Sequence, residues 1–252
     1  MNAYVQEAVD FLKSELQGKG PILLRFSGGK DSIVSERLLS LSGLPYHTSH
    51  SFTGIDAPEV IQFIRKEYPR CVFVRPRQTF WHLITTKNPP ANFSRWCCTE
   101  LKKKPAGKID MPLRVLGQRA EESTRRGKYP RINTFKKTGQ IHHYPILGWK
   151  EWQVWEFIEE QGLKYPELYD CGFDRLGCVI CPYHSSPTHD GHALYRDRWP
   201  KHFEMFEKQC TIWFHKRKAQ GRDMFFSTPE EFIFEWYRGN VRWYKTEGGA
   251  LS

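Results

Sequence analysis

A chain of 252 residues, 39% hydrophobic and 15% aromatic, can bury one sizeable core, or a main domain with a smaller lobe. No apolar stretch approaches the roughly 20 residues that span a bilayer, and the opening residues lack the basic and apolar regions of a signal peptide. The expectation is a cytoplasmic protein with no membrane partner, and the net charge of +10 directs attention to anionic ligands.

Val5, Val9, Leu12 and Leu16 recur at helical spacing and predict an amphipathic opening helix over residues 3–16. An apolar run over residues 21–26 then reads as a short buried strand, and Val34, Leu38 and Leu41 share a helical face beyond it. Between them lies Ser27-Gly28-Gly29-Lys30-Asp31-Ser32. At a strand-to-helix turn, free backbone amides and the helix dipole form an anion site. Gly28 and Gly29 let the main chain approach a phosphate, and Ser27 and Ser32 add hydroxyls. Lys30 adds a point charge, while Asp31 can cap the helix or hold Mg2+. Lys30 and Asp31 are expected on an exposed loop, where substitution costs little stability.

Tyr46 to Phe52 reads as a second strand, followed by the turn Thr53-Gly54-Ile55-Asp56-Ala57-Pro58-Glu59, a helix to about Tyr68 and a strand over residues 71–74. Residues 75–90 read as turn-rich and irregular, residues 113–117 as another inner strand and residues 149–162 as a helix. Helical patterns return around residues 194–210 and 230–238. Alternating strands and helices imply an α/β fold with a mostly parallel sheet covered on both faces. Its ligands gather at the carboxyl ends of the strands.

Between Arg95 and Gln140, thirteen Lys/Arg stand against four acids, so nearly all the excess charge lies in this stretch. Exposed, with Lys102, Lys103 and Lys104 among its charges, it would attract a polyanion: a nucleic-acid backbone or a highly phosphorylated small substrate. Two close cysteine pairs, Cys97-Cys98 and Cys178-Val179-Ile180-Cys181, can supply four thiolates to a metal centre. Adjacent cysteines converge poorly on one tetrahedral zinc, whereas a 4Fe–4S cluster offers each thiolate its own iron. Zinc and free or redox-active thiols are the alternatives. Cys71 reads as core and Cys171 as a packed cysteine, with a sulfur-accepting thiol near the cluster as the alternative for Cys171. His184, His189 and His192 read as polar loop residues, with a second metal site as the alternative.

The hexapeptide 27–32 resembles the PP-loop of the adenine-nucleotide α-hydrolase superfamily. Arg95-Trp96-Cys97-Cys98-Thr99-Glu100-Leu101-Lys102 is similar to the Cys-Cys segment of the adenylyl-sulfate (APS) and phosphoadenylyl-sulfate (PAPS) reductase family. Gly117-Gln118-Arg119-Ala120-Glu121-Glu122-Ser123 with Arg126 resembles its Gly-x-Arg-x-x-Glu-Ser-x-x-Arg motif. Thr53-Gly54 with Pro58-Glu59, residues 144–149 and residues 172–178 resemble further segments, in the family's order.

The resemblance implies a PP-loop domain with an iron–sulfur site over residues 1–183 and a smaller helical extension packed on it over residues 184–252. It also implies an adenine nucleotide (ATP, APS or PAPS) with Mg2+, bound by Ser27, Gly28, Gly29, Lys30, Asp31, Ser32, Thr53, Gly54, Gly117, Arg119, Glu122, Ser123 and Arg126. Lys30, Asp31 and Arg119 would act in catalysis, and Cys97, Cys98, Cys178 and Cys181 would hold a 4Fe–4S cluster. Cluster-bearing members include APS reductases and the PP-loop enzymes of DNA phosphorothioation. One departure is plain: nothing after Pro182 resembles the reductases' Glu-Cys-Gly-Leu/Ile-His nucleophile segment, and the one later cysteine, Cys210, falls in a predicted helix. The leading expectation is an ATP-using enzyme that adenylates an acceptor, such as nucleic acid, for sulfur transfer from a donor protein. The alternatives are a sulfonucleotide reductase and a silent nucleotide- or nucleic-acid-binding module.

Overall fold

The computed structural model describes residues 2–185 and 188–244. In chain order its elements are α1 (Ala3–Leu16), β1 (Ile22–Arg25), α2 (Lys30–Ser42), β2 (Tyr46–Ser51), α3 (Pro58–Glu67), β3 (Val72–Val74), α4 (Phe80–Thr86) and α5 (Lys104–Gly107). They continue with β4 (Leu113–Leu116), α6 (Thr124–Gly127), β5 (Ile132–Phe135), β6 (Gln140–His143), α7 (Glu151–Glu160), α8 (Ala193–Arg198), α9 (Pro200–Ala219) and α10 (Pro229–Tyr237). The chain forms two compact units. The first joins residues 1–52, 57–75 and 105–177, and the second joins residues 53–56, 76–104 and 178–252. The described residues 188–244 thus share a unit with both cysteine pairs.

The first unit is an α/β layer structure, as its alternating elements dictate. Its six-stranded sheet runs β3-β2-β1-β4-β6-β5, parallel throughout except for the antiparallel edge strand β5. β1 sits centrally, with Ile22 beside Tyr46 on β2 and Leu113 on β4. Its three consecutive apolar residues are what a strand covered on both faces requires, and Ile22, Leu23 and Leu24 are all buried. In α1 the stripe Val5, Val9, Leu12 and Leu16 is buried, as its spacing demands. In α2, Val34 and Leu38 are buried with Ile33 and Leu39, whereas Leu41 is only half-buried.

The second unit is mainly helical, with α9 packed against α4, α8 and α10 around Phe203, Phe206, Trp213, Phe232 and Trp236. Two parts of the architecture differ from the sequence reading. Residues 75–90 are not irregular: Thr79 caps α4 by accepting from the His82 amide at 3.2 Å. The β5–β6 hairpin, turning at Gly139 with φ +66°, was not anticipated.

Candidate functional site

The segment 27–32 leaves the carboxyl end of β1 and, from Lys30, forms the first turn of α2. Gly28 takes φ +79°, and a Cβ there would meet Val60 and Ile64 of α3 at 2.8–2.9 Å, so only glycine fits. Within the loop, the Ser27 amide donates to Ser32 Oγ at 3.2 Å and the Gly29 amide to Ser27 Oγ at 3.3 Å. Ser32 Oγ donates back to the Gly29 carbonyl at 2.8 Å. Gly29 is the N-cap of α2 and offers no side chain to its orphan amides. The Lys30 amide donates instead to the Tyr169 hydroxyl at 2.9 Å.

Lys30 and Asp31 are not exposed loop residues: they open α2, and Lys30 is only 3% exposed. Its ammonium donates to the Asp174 carbonyl at 2.6 Å and pairs with Glu151 at 3.0 Å. It also faces the rings of Tyr169 and Trp155, at 5.0 and 5.7 Å from their centroids. A buried ammonium needs such partners, since desolvation is costly without them. Burial pushes the Glu151 carboxyl up, but the hydrogen bond and charge of Lys30 bring it below its ordinary value.

Asp31 accepts from Arg119 Nε at 2.5 Å. Burial raises its pKa, with Arg119 pulling the other way. Arg119, 4% exposed, also pairs with Glu121, and its amide donates to Glu122 at 3.0 Å. Glu122 in turn pairs with Arg126, whose amide donates to Ser123 Oγ at 3.3 Å. Gly117 approaches the loop so closely that a Cβ there would lie 2.3 Å from the Asp31 carbonyl oxygen. The first unit therefore brings together residues 27–32, Gly117, Arg119, Glu122, Ser123 and Arg126.

Thr53 and Gly54 belong to the second unit. There Gly54 turns with φ +79°, the Thr53 amide donates to the Asp56 carboxylate at 2.6 Å, and Asp56 forms a β-bridge with Cys178. Cys97, Cys98, Cys178 and Cys181 line one pocket of this unit, together with Arg95 and Lys102. The hydrogen bond from Cys97 lowers the Cys98 thiol pKa, helped by the charges of Arg95 and Lys102. Arg95 donates to Cys98 Sγ at 3.5 Å and to the Tyr183 hydroxyl at 2.7 Å, its guanidinium 4.2 Å from the Tyr183 ring centroid. Burial pushes Cys178 up to about 11, while Lys102 pulls the other way.

No three Cys, His, Asp or Glu side chains converge on a single-ion position among the described residues. Four thiols spaced around one pocket, with two cations beside them, suit a group that offers each sulfur its own metal atom better than one tetrahedral ion. Lys102 is not the solvent-facing charge expected: it is half-buried, and the neighbouring Cys178 charge raises its pKa. Lys103 and Lys104 are exposed. Arg114 is buried on the Ala106 and Ile109 carbonyls, and Arg131 pairs with Glu7. The basic stretch is thus partly spent inside the fold.

Cys71 is buried as expected, Cys171 is exposed rather than packed, and Cys210 is 0% exposed with its thiol raised well above the ordinary value by burial. His192 is no polar loop residue: it is fully buried, donating or accepting at Ser185 Oγ at 3.1 Å and packed on Trp236. Sequence reasoning missed Glu151, Trp155 and Tyr169 around Lys30, because only the fold brings them to residue 30. Arg95 and Lys102 stood inside the cysteine motif, but their aim at the thiols carried no sequence signal.

Residues 21–184 match the phosphoadenosine phosphosulfate reductase domain family. The chain belongs to this family. Membership places it among enzymes of the PP-loop or sulfonucleotide-reductase type. An uncharacterized protein of Methanocaldococcus jannaschii is 32% identical over 193 residues, covering 71% of this chain and 40% of that relative. An adenosine 5'-phosphosulfate reductase of Oceanobacillus iheyensis is 33% identical over 105 residues, covering 41% of this chain and 42% of the relative. The chain therefore spans less than half the length of these curated relatives. The crystal structure of a phosphoadenylyl-sulfate reductase from Candida auris shares the fold with TM-score 0.50 at 19% identity, covering 69% of this chain and 95% of that one. No helix among the described residues is long and apolar enough to cross a membrane.

Proposed function

We propose that this protein binds ATP, with Mg2+, on the 27–32 loop and adenylates an oxygen of an acceptor for sulfur transfer, the acceptor being nucleic acid as in DNA phosphorothioation. The observation that carries the reading is the start of α2: orphan amides behind two glycines, a buried lysine, and an aspartate fixed by Arg119. In such a step the acceptor oxygen attacks the α-phosphorus, the bond to pyrophosphate breaks, and a sulfur nucleophile from a donor protein later displaces AMP. The loop contributes positioning and charge stabilisation. Arg119 orients Asp31, and Gly28, Gly29 and Ser27 frame the phosphates. Gly117, Glu122, Ser123 and Arg126 complete the nucleotide site in this reading, with Lys30, Asp31 and Arg119 catalytic; Thr53 and Gly54, which the resemblance adds to it, belong to the second unit. Cys97, Cys98, Cys178 and Cys181 would hold a 4Fe–4S cluster, which binds or relays sulfur or ties the two cysteine segments together. Free thiols of this kind persist in the cytoplasm.

The second reading is an APS or PAPS reductase, favoured by the relatives that carry that name. Against it stands Cys210, the one cysteine after Cys181, sealed inside α9 and held protonated by burial. Anaerobic turnover with ATP, APS and PAPS side by side tests both. Pyrophosphate release from ATP is expected. Sulfite release from APS or PAPS with no ATP turnover would overturn the first reading in favour of the second.

A further inference from the structure

We infer that the Tyr169 hydroxyl stands where a phosphate oxygen of the nucleotide binds, so that nucleotide and the 167–174 segment compete for the same backbone amide and the same lysine. The inference rests on the nucleotide reading above and goes beyond it by naming what the phosphate displaces.

The start of α2 has no side-chain cap of its own, and a residue 139 positions away fills the vacancy. The Tyr169 hydroxyl accepts from the Lys30 amide at 2.9 Å. It also lies 3.1 Å from where a Cβ on Gly29 would be, and so sits against the glycine pair itself. The same segment takes the Lys30 side chain. The Asp174 carbonyl accepts from the ammonium at 2.6 Å, the Tyr169 ring lies beneath it, and Glu151 of α7 completes the enclosure. Trp155 packs edge-on to the Tyr169 ring at 5.2 Å and faces the same ammonium.

A neutral hydroxyl is the weaker acceptor for that amide. Charge-assisted hydrogen bonds to an oxyanion are about twice as strong as neutral ones, and the dipole of the 13-residue helix favours the anion further. Burial raises the Tyr169 pKa, so the hydroxyl remains neutral and cannot itself supply the missing charge. An arriving phosphate therefore displaces Tyr169 from the amide, and drawing Lys30 onto the phosphate breaks its bond to Asp174.

The test uses the intact protein, with pyrophosphate and ATP, each with Mg2+, as probes. Tyr169→Phe keeps the ring and removes only the competing hydroxyl. Calorimetry should show its Kd for both probes about three- to tenfold lower than wild type, the worth of one neutral hydrogen bond. A purely structural tyrosine, or one whose hydroxyl stays to hold the phosphate, gives unchanged or weaker binding, and either result overturns the inference. In wild type, pyrophosphate should change tryptophan emission by an amount that Trp155→Phe abolishes. This second readout decides the matter if Tyr169→Phe does not fold, and absence of a Trp155-dependent change at saturation overturns the inference. Wild type that binds neither probe overturns the nucleotide reading itself, and this inference with it.

Discussion

Replacing Gly117 with alanine tests how tightly the end of β4 is set against the start of α2. The backbone at Gly117 is not in the left-handed region, so alanine meets no conformational penalty of its own. Its Cβ would, however, lie 2.3 Å from the Asp31 carbonyl oxygen, 2.5 Å from the Asp31 carbonyl carbon and 2.9 Å from the Ser32 amide nitrogen. These are backbone atoms, which cannot rotate aside. Restoring ordinary contact, which begins at 3.4 Å, requires a displacement of roughly 1 Å at Asp31. Overpacking of this kind costs about 1–3 kcal/mol, and each kcal/mol lowers Tm by about 2–4 °C in a protein of this size. A shift of about 1 Å at a phosphate-positioning loop can cost on the order of a hundredfold in turnover. Scanning calorimetry and titration with ATP and Mg2+ measure the two effects on one sample. Gly148→Ala is the control, because nothing lies within 4 Å of its Cβ and its φ is not positive. If Gly117→Ala keeps both wild-type Tm and wild-type affinity, the close approach is refuted. If it loses Tm but keeps full affinity, the dependence of the nucleotide loop on β4 is refuted.

Protein purified without oxygen should be brown, with about four irons per chain, and Cys181→Ser should lose both iron and thermal stability, because ligation by distant segments couples to folding; a colourless protein with one tightly bound zinc would refute the cluster. Burial holds the His192 pKa down to about 3, so the unfolded chain takes up this proton first as pH falls. The stability His192 contributes is fully present above the unfolded value of about 6.5 and is lost towards pH 3, at about 1.4 kcal/mol per pH unit. Urea midpoints at pH 7 and pH 5 should therefore lie closer together in His192→Phe than in wild type, and equal spacing would refute the assignment. If the acceptor is duplex DNA, Lys103→Ala with Lys104→Ala should flatten log K against log salt by about 0.9 for each phosphate these lysines neutralise. Absence of any DNA or RNA binding at low salt would remove nucleic acid as the acceptor.

The Ser27–Ser32 segment was legible in the sequence because its chemistry is contiguous: strand, glycines, charge and helix follow one another, although the cap offered by Asp31 is not made and its carboxylate meets Arg119 instead. The parallel sheet was legible because β1, β3 and β4 are short, mostly apolar runs and the polar β2 is bounded by Gly43-Leu44-Pro45 and the Thr53-Gly54 turn. The β5–β6 hairpin was not, since Ile132–Phe135 and Gln140–His143 form a half-exposed edge with mixed faces and little periodicity. α4 was hidden by its length, a single capped stretch of seven residues with two threonines at its end. Two polar side chains misplaced by sequence reasoning, Lys30 and His192, share one cause. Lys30 is buried by Glu151, Tyr169 and Asp174, and His192 by Trp236 and Phe203. Local polarity predicts exposure, and tertiary partners overrule it.

Lys30 and Lys102 extend this rule to the chemistry. A lysine is rarely withdrawn from water without a negative group to meet it. At Lys30 that group is the Glu151 carboxylate, so the ammonium has a counter-charge before any ligand arrives. At Lys102 the neighbours are Cys178, Asp56 and Cys98, and the largest influence on the ammonium is the charge Cys178 can carry. Arg95 adds a guanidinium to the same group of sulfurs through Cys98. Asp56 already gives Lys102 a carboxylate, and Tyr183 gives Arg95 a hydroxyl and an aromatic face. The thiolate is the form of cysteine that ligates a metal, so both cations would gain a further counter-charge if the four sulfurs were ionised by a bound cluster. The same reasoning makes Lys102→Met the substitution that separates a bound cluster from resting thiols, since it should weaken iron retention if the sulfurs are ionised ligands and leave the protein unchanged if they are not.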